Sequence, residues 1–243
     1  NVDGPRAMPF GLRLPVQAQS TGYAEAWESR AGIDEIAAVA RVAEHAGFAY
    51  VAVCDHIAVP KERAHELTTV WWDCVATLAY LAAVTHRVRL VGRGYALALR
   101  HPLAAAKQWA TLDALSGGRA ILGVGGGPVD GELTALGVDP ARRDALLDEA
   151  LDAVRAVFDD EFSSHAGDAW AYEEMGVAPR PVQAHLPVWV GGSSDVALRR
   201  AATRADGWVP SGAPEGGMSA GIAHLRRLLA EAGRAAEPFT VGA

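Results

Sequence analysis

The chain has 243 residues, 50% of them hydrophobic, which is enough apolar mass for a sizeable core. Its formal net charge of -7 argues against nucleic acid or an anionic membrane surface as a partner. Cys54 and Cys74 form neither a CxxC nor a zinc spacing and read as reduced thiols of a cytoplasmic protein, and no apolar run reaches the roughly 18 residues of a membrane span.

In chain order, residues 1–7 read as an expression-vector remnant outside the fold, with no signal-peptide pattern, and residues 8–14 as a first strand ended by Pro15. Residues 33–45 carry apolar side chains at helical spacing, and Gly47 stands where a C-terminal cap would. Residues 50–54 (YVAVC) are apolar throughout, as in a parallel strand covered on both faces. A helix over 74–84, a strand over 88–91 and a helix from Pro102 to Leu115 follow, the proline suiting a first helical turn. A strand at 120–124 and a long amphipathic helix at 143–158 come next. Residues 159–180 break this rhythm and read as an insertion or lid, too long and polar for a plain connection. Strands at 187–190 and 207–210, helices at 195–204 and 218–232, and the start of a further strand at 239–241 complete the series. Strand and helix alternate in one unit over residues 8–243. This implies a parallel sheet, open and doubly wound or closed as a (β/α) barrel.

In either architecture a ligand sits at the carboxyl ends of the strands, so the residues that follow each strand matter most. Asp55 and His56 follow the second strand. They read either as a base, acid or substrate contact, or as a structural pair holding the next loop. Gly92, Arg93, Gly94 and Tyr95 follow the third and suggest a bulge, a strained peptide or a plain strand end. Gly125, Gly126 and Gly127 follow the fourth. They fit neither GxGxxG, since Pro128 or Asp130 stands where a third glycine is needed, nor the P-loop, since Glu132 replaces its lysine. They are either a tight turn or a wall of bare backbone against a ligand ring. Gly191, Gly192 and Ser193 open a helix after the fifth strand, either as an ordinary capped junction or as a phosphate cradle. Trp71 and Trp72 fit core packing or a pocket mouth. The eight histidines form no HxH or HExxH, so no metal site is expected, and no GxSxG nucleophile motif is present.

In order and spacing, DHIAVP (residues 55–60), LAAVTHRVRLVGRGYALALRHPLAAAKQWATLDALSGGRAILGVGGG (81–127), ELTALGVD (132–139) and PRPVQAHLPVWVGGSSDVALRRAATRADGWVP (179–210) resemble the luciferase-like monooxygenase superfamily. They are most similar to its actinobacterial branch of oxidoreductases that use the deazaflavin F420. The resemblance implies a TIM-like barrel with an insertion after the fourth strand and the cofactor in the barrel mouth. It implies that Gly125, Gly126 and Gly127 wall the ring, that Gly92, Gly94 and Tyr95 lie behind it with a non-prolyl cis peptide near Gly94–Tyr95, and that Gly191, Gly192 and Ser193 receive the phosphate. It places Asp55 and His56 at the reactive edge.

Three features depart from that pattern. Pro128 stands where some F420-dependent sugar-phosphate dehydrogenases of the family carry a proton-donating glutamate; Glu132 matches a different acid of this loop, expected to be structural through its helix N-terminus. Arg93 is bulkier than the small residue usual at its place. The last strand only begins at the C-terminus, whereas a closed barrel needs about 250 residues, so an incomplete barrel end is expected. The resulting expectation is an F420- or FMN-dependent oxidoreductase performing hydride transfer, or monooxygenation with a separate reductase, on a small organic substrate. Two further expectations are a homodimer and, as the alternative class, a non-catalytic flavin-binding protein with an incomplete barrel.

Overall fold

Alternation of apolar strands with amphipathic helices produces a single parallel sheet wrapped by helices. The computed structural model describes residues 10–242. The first half runs β1 (Gly11–Arg13), α1 (Ile33–His45), β2 (Tyr50–Cys54), the short α2 (Ala64–Leu67), α3 (Cys74–Val84), β3 (Arg89–Arg93), β4 (Tyr95–Ala96), α4 (Pro102–Ser116) and β5 (Ala120–Gly125). The second half runs α5 (Asp130–Ala135), α6 (Arg143–Asp159), the hairpin β6 (Phe162–Ala166) and β7 (Ala171–Gly176), β8 (Val188–Gly191), α7 (Asp195–Arg204), β9 (Gly207–Val209), α8 (Gly217–Glu231) and β10 (Thr240–Val241).

The sheet order is β1-β2-β3-β5-β8-β9-β10, with the two-residue β4 also on β5 and every pairing parallel. The sheet is curled into a half-barrel, and β1 and β10 do not pair with each other among the described residues. Residues 1–7 and the first two residues of the expected first strand lie outside the described residues; of its described residues 10–14, Gly11–Arg13 form β1.

Local chemistry places the helix ends. The Glu35 carboxylate accepts the Gly32 N–H at 2.7 Å at the start of α1, and Gly47, with φ of 83°, ends the turn behind it. Pro102 opens α4, and Gly117, with φ of 67°, closes it. The third strand begins one residue later than expected and runs on to Arg93, because its register with β2 continues through Val53↔Gly92 and Cys54↔Arg93.

Two apolar cores separate across the sheet. The large one, including Trp109, Leu122, Leu151 and Trp208, lies between sheet and helices. The small one, Ala52, Val91, Ile121 and Trp189 with Tyr50 and Val209, fills the inside of the curl. There Tyr50 and Trp189 meet edge to face, with ring centroids 5.4 Å apart. Each ring covers a glycine directly opposite on the neighbouring strand, Tyr50 on Gly11 and Trp189 on Gly207, and a Cβ at either glycine would overlap the ring. This aromatic layer forms the floor of the curl.

The segment at 159–180 is a two-stranded antiparallel hairpin fixed to the helical layer rather than a lid. Glu149 of α6 accepts the N–H groups of Ala169 (3.1 Å) and Trp170 (2.9 Å), and Trp170 packs on His101 at the start of α4. Its return to β8 is held by buried Asp113 of α4, whose carboxylate accepts Val182 N–H at 2.9 Å and Gln183 N–H at 3.0 Å.

Candidate functional site

The strands of the main sheet all point the same way, so their carboxyl ends gather the polar residues of the loops. Gln17, after β1, spans to β2: its Nε2 donates to Leu14 O at 3.2 Å, and its Oε1 accepts Cys54 N–H at 3.0 Å. This tie sets where β2 releases the chain into Asp55 and His56.

Asp55 and His56 do not pair with each other. Asp55 turns towards β4 and α4, where Oδ2 accepts Ala96 N–H at 2.8 Å and Arg100 holds both carboxylate oxygens, at 2.7 and 3.0 Å. The pair is almost fully buried. Burial alone would lower the Arg100 pKa; the charge of Asp55 reverses this and raises it. Arg100 carried no separate signal in the sequence beyond its place just before a helix start.

His56 turns the other way, to Glu132. Its Nδ1 lies 2.6 Å from Glu132 Oε2, while Oε1 accepts the N–H groups of Ile57 (2.6 Å) and Ala58 (3.1 Å). Glu132 thus clamps the loop after β2 rather than acting at its own helix N-terminus. Burial pushes the Glu132 carboxyl up, but the His56 hydrogen bond and the two backbone N–H groups outweigh it and hold the carboxyl below its usual range. Trp71 packs edge-on to the imidazole, with centroids 4.4 Å apart, and its Nε1 donates to Leu67 O at 3.0 Å. With Nδ1 engaged by a carboxylate, Nε2 is the ring nitrogen left without a hydrogen-bond partner among the described residues. Neither His56 nor Asp55 lines the cavity between β3, β5, β8 and β9.

Between β3, β5, β8 and β9 the curl leaves a cavity of about 50 Å³, its wall including Gly92, Arg93, Gly94, Gly123, Gly191 and Ser211 above the Trp189 floor. Bare backbone makes this space: a Cβ at Gly123 would strike Gly92 O. The expected ring-wall glycines lie elsewhere. Gly125 backs onto Gly94, Gly126 lies under the Arg143 side chain, and Gly127 is buried against Leu133. None of the three lines the cavity, because the chain leaves β5 and turns outwards into α5; Gly123, two residues earlier, takes that place.

Tyr95 is also not a cavity residue. It is fully buried in the outer core, where its hydroxyl donates to Gln108 Oε1 at 2.7 Å and its ring meets Trp109 edge-on and Arg100 face-on. Burial raises its phenol pKa. The Gly94–Tyr95 peptide is trans. The chain turns there through Gly94, whose φ is 80°, so the bend needs no cis bond, and the cis peptide among the described residues is Ala178–Pro179.

Gly191 lines the cavity, whereas Ser193 faces an adjoining cleft with Asp195, Glu215 and His224. The Gly192 N–H donates to Val209 O at 3.2 Å and its carbonyl accepts Trp208 Nε1 at 2.6 Å, so both backbone groups are engaged. The Ser193 hydroxyl donates to Gly212 O at 2.8 Å and accepts Ser211 N–H at 3.1 Å. Ser194 caps α7 by accepting Ala197 N–H at 3.2 Å, and Asp195, paired with Arg199 and His224, occupies the first turn. An anion in this cleft would meet the helix N-terminus together with two carboxylates.

Among the described residues no group of three or more His, Cys, Asp or Glu side chains could hold a metal, and no helix is long and apolar enough to cross a membrane. Cys74 is buried beneath β2 with its thiol pKa pushed well up by that burial.

Comparisons with known proteins bear on the same architecture. An uncharacterized protein of Mycobacterium tuberculosis (strain H37Rv) is 33% identical over 215 residues, which cover 84% of this chain and 74% of that protein. The crystal structure of a riboflavin lyase with modified FMN and riboflavin superposes with a TM-score of 0.81 at 20% identity, over 97% of this chain and 61% of the lyase. An F420-dependent secondary alcohol dehydrogenase in complex with an F420-acetone adduct gives 0.77 at 19% identity, over 96% of this chain and 68% of the dehydrogenase. At these identities the two structures establish the shared fold alone. The model of the luciferase-like monooxygenase family matches residues 8–243, and with that match over nearly its whole length, on a parallel half-barrel, the chain belongs to the luciferase-like monooxygenase family.

Proposed function

We propose that the chain is an F420-dependent oxidoreductase that moves a hydride between the deazaflavin and a small organic substrate, with His56 as the proton-handling residue at the reactive edge. The observation that carries this reading is the His56–Glu132 pair, set at the same sheet end as a glycine-walled cavity. A deazaflavin or flavin ring fits the chemistry of the wall: flat backbone at Gly92, Gly94, Gly123 and Gly191 and an apolar floor. The tail would leave along Gly191 and Ser211, short of the acid-lined cleft at Ser193.

The bound cofactor supplies the hydride chemistry. The chain's own residues orient and gate it. Glu132 accepts the Nδ1 proton of His56 and fixes the tautomer, so Nε2 accepts or returns the substrate proton. Trp71 limits rotation of the imidazole. Asp55, saturated by Arg100 and Ala96, positions β4 against β2 rather than exchanging protons. FMN is the second reading, favoured by the likeness to a lyase structure that contains modified FMN; the same residues would then serve oxygen chemistry, with reducing equivalents from a separate reductase. A cytoplasmic location and a homodimeric state belong to this proposal.

Fluorescence titrations with F420 and with FMN test it. F420 binding without FMN binding supports the hydride-transfer reading, and FMN preference moves it to oxygen chemistry. Stoichiometric flavin binding without turnover makes this a flavin-binding protein. Binding of neither refutes the proposal.

A further inference from the structure

The charge pattern of the cavity is not explained by ring binding alone. In a chain of net charge -7, the charged residue on the cavity wall is a cation, Arg93, and no carboxylate lines the cavity. Arg93 ends β3 with its side chain exposed and makes no ion pair or side-chain hydrogen bond among the described residues. Most other arginines around the sheet ends are committed: Arg100 to Asp55, Arg143 to Asp130, Arg200 to Asp144 and Asp148. Ser211, on the same wall, uses its backbone N–H on Ser193, while its hydroxyl has no partner among the described residues. An unpaired guanidinium and a free hydroxyl on an apolar, glycine-rich wall are complementary to an oxyanion, because guanidinium presents several donors in a rigid fork and loses less hydration than an ammonium.

We propose that Arg93 is a specificity-determining residue that binds an oxyanion of the ligand held in the cavity, with the Ser211 hydroxyl as second donor; this rests on the cofactor reading above. The oxyanion has two candidate sources, the phosphate of the cofactor tail and an anionic oxygen of the ring system. The acid-bearing cleft at Ser193 is electrostatically the poorer receiver, since Asp195 and Glu215 line it.

The test compares the wild-type chain with Arg93→Gln and Arg93→Lys. Dissociation constants are measured for FMN and riboflavin, which share the ring and differ in the phosphate, and for F420. Thermal midpoints are followed against inorganic phosphate, with chloride at matched ionic strength. Arg93→Gln is expected to weaken FMN binding about tenfold or more, as for the loss of one charge-assisted hydrogen bond, with part recovered in Arg93→Lys. If riboflavin binding is unchanged, the phosphate is the source; if riboflavin falls in parallel, the ring oxygen is. Should the wild type bind no flavin or deazaflavin, the cofactor reading fails, and the phosphate series still decides on the arginine. A saturable rise in midpoint that Arg93→Gln abolishes sustains the anion site. Equal affinities and equal phosphate response in wild type and Arg93→Gln overturn it.

Discussion

His56 Nδ1 and Glu132 Oε2 lie 2.6 Å apart, although 76 positions separate them in the chain. The contact joins the loop after β2 to the helix after β5, two strand ends that flank β3 in the sheet. One carboxylate thereby orients the imidazole and closes two backbone N–H groups of the same loop. Replacing His56 by Ala should leave cofactor affinity intact and lower turnover about a hundredfold, within the usual worth of a general acid or base. Steady-state kinetics beside a binding titration check this, and unchanged turnover would remove the catalytic role.

Glu132→Gln should act differently. It keeps the side-chain shape but loses the charge that favours an Nδ1-H tautomer. The Glu132 carboxyl is held below its usual range in the fold, so its charge is present above that range and is lost as pH falls through the depressed value. The pH profile of kcat in Glu132→Gln should lose this acid-side dependence. A profile identical to wild type would mean that Glu132 only holds the loop.

The Asp55–Arg100 pair should be worth more to stability than to chemistry. Arg100→Leu strands a buried carboxylate and should cost about 3–5 kcal/mol. Adding Asp55→Asn should recover part of that loss, because the uncompensated charge is gone. Urea denaturation of the two singles and the double gives the cycle; full additivity would show that the pair is not coupled.

The floor of the curl predicts a steric effect. At Gly207 a Cβ would enter the Trp189 ring, so Gly207→Ala should destabilise by about 1–3 kcal/mol. In a Trp189→Ala background the same change should cost far less. Thermal unfolding of the four variants checks it, and equal costs in both backgrounds would contradict the packing.

Glu44 supplies a pH test remote from the site. Burial pushes its carboxyl up, yet the N–H groups of Arg87, Val88 and His86 more than offset this and bring it down to about 2. A folded value below the ordinary 4.5 contributes stability above pH 4.5, lost as pH falls towards 2. Glu44→Gln should therefore lower the thermal midpoint at pH 7 and converge on wild type near pH 2–3; a constant offset across that range would contradict it.

The helices at 33–45, 74–84 and 195–204 and the strand at 50–54 stand in the structure where the sequence alone places them. Their limits are local: apolar spacing, Pro102 at a helix start and Gly47 or Gly117 at a helix end act over a few residues. Parallel order was legible for the same reason, since strands without alternation demand cover on both faces. What the sequence could not settle was direction. Asp55 and His56 are adjacent, yet successive side chains at a strand end point apart, and their partners, Arg100 and Glu132, are 45 and 76 positions away. The same holds for the glycines. The run at 125–127 is conspicuous in the sequence, but the outward turn into α5 removes it from the cavity. Gly123, inconspicuous inside an apolar strand, lines it because β3 and β5 come close enough to leave no room for a Cβ. Likewise Tyr95 faces the outer core, and Arg93, two residues before it, is left without a counter-ion on the cavity wall. Composition and periodicity determined the elements and their class; the long-range packing of strand ends decided which side chains meet, because burial and charge pairing are properties of neighbours in space.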